Sequence, residues 1–187
     1  MTEGRLEREL IERARRGDRT AYEAIVRRKV ETVYRTARAI LGNDADADDA
    51  TQEALIGAWR QLPTLREIDR FDAWLGRITV NACRMAMRRR RTHAVLPLAA
   101  VVPGGPEDPR DPIASTFDSQ AVTADAFDRA FERLSIEQRA ILVLHHREEL
   151  AIAEIAARLG VPSGTVKSRL HTARAALQHA LEREGIR

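Results

Sequence analysis

The chain has 187 residues, 44% hydrophobic and 32% charged, which is enough for one or two small domains with modest cores. Its single cysteine, Cys83, excludes an intramolecular disulfide framework or a cysteine-rich zinc site, and no apolar run reaches the roughly 18 residues of a membrane span. The formal net charge is +3, and all basic residues but Lys29 and Lys167 are arginine, whose planar fork suits phosphate.

The opening MTEGRLEREL mixes acids and bases and is unlike a signal sequence, so the protein is expected in the reducing cytosol with no direct membrane insertion. Thr20 and Glu23 have capping-box spacing ahead of a helix that runs to about Leu41, where Gly42 and Asn43 stop it. A second helix opens in the acid-rich DADADDA, whose carboxylates favour the positive end of the helix dipole. It continues from Ala50 to Leu62, with Leu55, Ala58, Trp59 and Leu62 as core and Asp49, Gln52 and Glu53 turned to another side. That acidic-amide face is either an ordinary solvated surface or a docking face for a basic partner; spacing alone leaves both open.

A third helix, from about Phe71 to Arg90, buries Phe71, Trp74, Leu75, Ile78, Ala82 and Met85. Arg77, Asn81, Arg84 and Arg88 recur at i, i+4, i+7 and i+11 on another face. Three guanidiniums in one row repel unless an anion lies along them, and a nucleic-acid backbone is the expected polyanion. Asn81 is a neutral amide within that row, able to donate and accept at a base edge, or else a plain surface amide.

Residues 92–124 hold five of the seven prolines, including VPGGPEDPRDP, and show no sustained helical period, so they read as a linker between a lobe at 1–91 and another at 125–187. Charge divides the same way: 20 bases to 15 acids, then 1 to 4, then 10 to 9, so an acidic strap joins two basic lobes. No useful strand period occurs, and the fold class is all-α, two small helical domains.

In the second lobe two helical patterns meet at a Gly-Val-Pro corner, the shape of a helix-turn-helix. Ile152, Ile155, Ala156 and Leu159 form an apolar stripe; Gly160 can end that helix, Pro162 cannot continue it, and Ser163 can cap the next. The following helix buries Val166, Leu170, Ala173 and Leu177. It turns outward Gly164, Thr165, Lys167, Ser168 and His171, which can approach base edges in a major groove, with Arg169 and Arg174 as phosphate partners. An amphipathic hairpin with a solvated basic face has the same periodicity, but charge argues for DNA. The two longest stretches without an acid, 73–106 and 155–181, carry six and four bases, whereas a merely soluble surface mixes signs. His145 and His146, with no cysteine near them, read as loop residues rather than metal ligands.

DADADDATQEALIGAWRQLPTL, then FDAWLGRITVNACRMAMRRRR, then a linker, then LSIEQRAILVLHHREELAIAEIAARLGVPSGTVKSRLHTARAAL resembles an RNA polymerase sigma factor of the extracytoplasmic-function group of the sigma-70 family, which keeps only region 2 and region 4. The last segment alone also resembles response-regulator helix-turn-helices; the ordered pair at this spacing is specific. The resemblance implies that Asp49, Gln52 and Glu53 dock on the clamp of the largest catalytic subunit of core RNA polymerase, with the flap of the second-largest subunit as a further contact. It implies that the loop from Leu62 to Asp69, with the start of the next helix, forms a pocket for an unstacked minus-10 base. There Asn81 would help hold the base, and Arg77, Arg84 and Arg88 would bind nearby phosphates. Ser163, Thr165, Lys167, Ser168, Arg169, His171 and Arg174 would read the minus-35 element, and the acidic linker would thread toward the active-site cleft.

Two places depart from the family pattern. The run His145, His146, Arg147, Glu148, Glu149 stands where many relatives are hydrophobic and aromatic, and PTLREIDR is more charged than the usual loop. The resemblance further implies promoter DNA and an anti-sigma factor as partners, with no cofactor, metal or catalytic residue; no nucleophile elbow, phosphate-cradling loop or HExxH pair occurs. A two-domain helix-turn-helix regulator that acts by operator binding is the alternative, and it would need neither the Asp49, Gln52, Glu53 face nor the Asn81 row.

Overall fold

A computed structural model describes residues 3–95 and 119–186, so most of the expected linker at 92–124 lies outside the described residues. Those described fold into eight α-helices with short 3-10 and π turns and no strand, as the all-α expectation required.

Helix α1 (Glu3–Arg15) is an addition to the sequence reading; it lays Ile11 and Ala14 against α2 (Arg19–Leu41). The cap of α2 is Asp18 rather than Thr20. The Asp18 carboxylate accepts from the Ala21 N–H at 3.0 Å and is fixed by two bonds from Arg13, at 2.9 and 2.7 Å, leaving Thr20 exposed in the first turn. Gly42 ends α2 at φ 84 as anticipated, and Asn43 caps α3 (Asp44–Gln61) by accepting from the Asp46 N–H at 2.8 Å.

The face that α3 buries is made of small side chains, Ala47, Ala50, Thr51, Ala54 and Ala58, which lets α2 and α4 approach closely. Leu55 and Trp59, expected as core, are half-buried. The Trp59 ring lies 4.9 Å from that of Tyr22, whose hydroxyl donates to the Leu55 carbonyl.

Two 3-10 turns, Leu62–Thr64 and Ile68–Arg70, lead into α4 (Phe71–Val95). Phe71, Trp74, Leu75, Ile78 and Ala82 are buried as the periodicity predicts, but Met85 is 48% exposed. Thr79, Val80, Cys83 and Ala86 are buried in addition, because α4 is covered from several sides at once, by α3 and α2 and by α6 and α7 of the second lobe.

The second lobe comprises α5 (Ser119–Glu132), α6 (Ile136–Leu142), α7 (Ile152–Leu159) and α8 (Ser163–Arg183). Ser135 and Gln138 form a reciprocal capping box at the start of α6. The buried Arg139 donates to the carbonyls of Leu134, at 3.2 Å, and Glu132, satisfying acceptors at the end of α5. His145 and His146 do not lie in an open loop: they belong to a π turn, Val143–Arg147, that extends α6. Gly160 takes φ 66 at the end of α7, a conformation costly for other residues. Pro162, not Ser163, occupies the cap position of α8, and no side chain caps it there; Ser163 is its first residue.

Candidate nucleic-acid interface

Arg77, Asn81 and Arg88 are exposed on α4, and Arg84 is half-buried beside them. Arg84 Nη1 donates to Asn81 Oδ1 at 2.8 Å, while Arg84 Nε lies 3.4 Å from Glu137 Oε1 of α6. The row is thus already partly neutralised from within the chain, and repulsion along it does not by itself require a bound polyanion. Arg89 and Arg90, one step around the helix, turn back to α3, where they pair with Glu53 at 2.7 Å and Asp46 at 3.6 Å.

Next to Arg77 a cleft of about 320 Å³ opens between the turns that precede α4 and the helix itself, lined by Leu65, Arg66, Glu67, Arg70, Trp74 and Arg77, with Ala157 of α7 at its edge. Its floor is firm. Trp74 is 8% exposed and sits 5.7 Å from the Phe71 ring. From α1, Arg15 Nη1 donates to the Leu65 carbonyl at 3.1 Å, and Arg8 pairs with Asp69 at 2.7 Å. These two braces were missed from the sequence. Their helix is an Arg/Glu-rich segment whose few apolar residues, Leu6, Leu10, Ile11 and Ala14, carry its only core signal.

On α3 the side chains of Asp49, Gln52 and Glu53 are all exposed on one face, as the spacing predicts. Glu53 is not idle, since it holds Arg89. Along α8, Val166, Leu170 and Ala173 are buried and Leu177 half-buried, and Ser163, Lys167, Ser168, Arg169, His171 and Arg174 are exposed, with Thr165 half-buried at the rim. Arg174 Nε donates to His146 Nε2 at 3.3 Å, so the π turn and the outer face of α8 are joined through a neutral imidazole. Burial, with Arg174 and His145 adding charge repulsion, pushes the His146 pKa down. Cys83 is fully buried and its thiol is pushed up to about 12 by desolvation, which leaves it a neutral core group.

An apolar groove of about 790 Å³ has Phe127, Phe131, Leu142, Val143, Leu177 and Leu181 along its walls and Arg38, Arg147 and Arg174 at its margins. Phe127 is 41% exposed. The i, i+4 pairs Phe127 and Phe131, and Leu177 and Leu181, were the available signal for it.

Two family descriptions match the chain: Sigma-70 region 2 over residues 25–93, and Sigma-70 region 4 over residues 124–177. An ECF RNA polymerase sigma factor, SigM, from Mycobacterium tuberculosis is 39% identical over 165 residues, covering 88% of this chain and 79% of the relative. Among solved structures, CnrH in complex with the cytosolic domain of CnrY is 25% identical with a TM-score of 0.62, covering 95% of this chain and 97% of that one. The sigma factor RpoE bound to the anti-sigma factor NepR from Bartonella quintana has the same fold at 24% identity and TM-score 0.61, over 86% of this chain and 96% of that one.

Proposed function

The chain belongs to the extracytoplasmic-function group of the sigma-70 family of RNA polymerase sigma factors, and from that membership we propose how its residues divide the work of promoter-specific initiation. A sigma factor binds core polymerase and directs it to promoter DNA by duplex readout at minus-35 and strand opening at minus-10. The minus-35 task falls to α8. Lys167 and Arg169 neutralise phosphates, and Ser163, Thr165, Ser168 and His171 approach base edges, with Arg174 at the end of the row.

The minus-10 task falls to the cleft before α4. Taking one base out of the stack costs a few kcal/mol, which a firm pocket with hydrogen bonds can return. Asn81 is suited to part of that. Its oxygen is engaged by Arg84, so its amide N–H groups remain to donate to the base. Arg77, Arg84 and Arg88 serve the neighbouring phosphates. Asp49, Gln52 and Glu53 form the polymerase-docking face, presented to the clamp of the largest subunit. The apolar groove beside α8 is suited to a helical element of the flap. A core enzyme that holds both lobes converts two weak DNA contacts into one strong one.

Further partners follow from the same reading: an anti-sigma factor that competes with core polymerase for both lobes, acting in the cytoplasm. No described helix is long and apolar enough to cross a membrane. The observation that carries the assignment is the ordered pair of family matches, each falling on a lobe that exposes a cationic helix face. Run-off transcription tests it. Purified chain added to core polymerase is expected to yield transcripts that start at defined promoters; a chain that represses or activates only in the presence of another sigma factor would instead be an operator-binding regulator.

A further inference from the structure

The π turn at the end of α6 brings a histidine to the exposed row of α8. Its closing bond runs from the Glu148 N–H to the Val143 carbonyl at 3.0 Å, and the buried side chains of Val143 and Leu144 anchor it. The widened turn sets His146 against Arg174, 28 positions further along the chain, where Arg174 Nε donates to His146 Nε2 at 3.3 Å. An accepting Nε2 places the proton of the neutral ring on Nδ1. The His145 ring packs edge-on against it, with centroids 4.7 Å apart. Lys167, His171 and Arg174 stand at i, i+4 and i+7 of α8, so Arg174 closes the row.

That single bond has a directional effect. It uses the Nε–H of Arg174 and leaves the N–H groups of the two terminal nitrogens, which make no other hydrogen bond or ion pair among the described residues. The terminal fork is the part of an arginine that matches a phosphate. A long side chain already held in place loses less rotamer freedom when it meets its phosphate, an advantage of about 2- to 10-fold in affinity.

We propose that His146 is a positioning residue for minus-35 recognition: while neutral it holds the Arg174 guanidinium with the terminal fork left for a DNA phosphate, and on protonation it lets go. This rests on the assignment of α8 to the minus-35 task. An imidazolium has no lone pair at Nε2 and sets a second cation beside the guanidinium. Standing on the π turn and outside the α8 row, it does not replace the contact. The surrounding charges supply no substitute acceptor. Its own turn adds His145 and Arg147, and across the apolar groove Arg38 of α2 is paired with Asp44 at 2.6 Å. Asp128 and Glu132 of α5 line the same groove without an ion pair to His146 or Arg174. On α6, Glu137 faces Arg84 and Arg139 is spent on backbone carbonyls; on α7, Glu154 bonds the Ala151 N–H at 2.8 Å and Arg158 lies against Gly76. Burial, with the charges of Arg174 and His145, favours the neutral ring near neutral pH.

The experiment uses holoenzyme assembled with the full chain and a labelled duplex promoter that it transcribes. At about pH 7.5, His146→Ala is expected to weaken binding by about 2- to 10-fold and Arg174→Ala at least as much, with the double variant no weaker than Arg174→Ala alone. His146→Gln, which keeps an acceptor for Arg174, should recover the loss. As the pH is lowered to about 5.5, the wild type should fall behind His146→Gln by the same factor. The ratio of these two cancels every other pH-dependent group, His171 included, and circular dichroism at each pH reports that the helices persist. Additive losses in the double variant, no recovery by glutamine, or a ratio that stays flat with pH would each overturn the positioning role while leaving α8 as the minus-35 helix. Arg174→Ala binding as well as wild type would remove Arg174 from the phosphate contacts, and the role of His146 with it.

Discussion

Arg84 donates from Nη1 to Oδ1 of Asn81 at 2.8 Å, one turn back on the same helix, and this bond decides which end of the amide is left for a nucleic-acid base. A base acceptor meets two free N–H groups, whereas a base donor has to share Oδ1 with Arg84. Asn81→Ala is expected to slow promoter opening, read from permanganate reactivity of the melted strand, by about 2- to 10-fold, the worth of one net hydrogen bond. Affinity for core polymerase should not change. Asn81→Asp keeps the acceptor for Arg84 but removes the N–H donors, and should be at least as impaired. Equal loss of polymerase binding and opening would remove Asn81 from the pocket.

Lys167 and Arg169 are exposed on α8 with no acid paired to them among the described ion pairs. Each phosphate contact they make releases condensed counterions, so the slope of log affinity against log salt should fall by roughly one per contact when both become alanine. Holoenzyme binding to promoter duplex, measured across a salt series, gives the slope directly. An unchanged slope means that these side chains do not touch the backbone.

What the sequence made legible were features repeated at short range. The stripe from Phe71 to Ala82, the Gly160 corner and the exposed rows on α3 and α8 all follow from 3.6-residue periodicity and turn chemistry. Long-range packing was not legible. Met85 continues the stripe, and periodicity alone predicts it in the core. Burial instead passes to Cys83 and Ala86, since α6 and α7 approach α4 from a side that no local pattern announces. The same applies to Thr36 and Glu148, 112 positions apart, and to the Asp18 cap, whose advantage over Thr20 comes from Arg13. Helix α1 has a weak local signal because its few apolar residues sit among arginine and glutamate, yet it braces the cleft through Arg8 and Arg15.

The acidic face of α3 separates into two kinds of residue. Glu53 holds Arg89 at 2.7 Å with both side chains largely in solvent, a pair worth at most about 1 kcal/mol. Asp49 has no such partner among the described ion pairs. Asp49→Ala is therefore expected to weaken core-polymerase binding in a competition assay while leaving thermal stability within about 0.5 kcal/mol. Glu53→Ala should weaken the same binding and also free Arg89. Full competition by Asp49→Ala would show that this face does not dock.

His146 provides the pH dependence. Its imidazole accepts from Arg174 Nε, so only the neutral form makes the bond, and burial followed by the charges of Arg174 and His145 lowers its pKa below the ordinary 6.5. Because the folded-state value is depressed, the folded chain binds fewer protons than the unfolded one below about pH 6.5. This histidine therefore weakens stability progressively as pH falls from there through the lowered value. Protonation also turns the ring nitrogen from acceptor to donor and frees Arg174 toward solvent. An NMR titration of the His146 ring should give a midpoint below 6.5, moving up in Arg174→Ala, where a repelling charge is gone. His146→Gln keeps an acceptor without a titration and should remove this contribution to acid sensitivity. A midpoint at the ordinary value, unmoved by loss of Arg174, would mean that the π turn and α8 are not joined through this pair in solution.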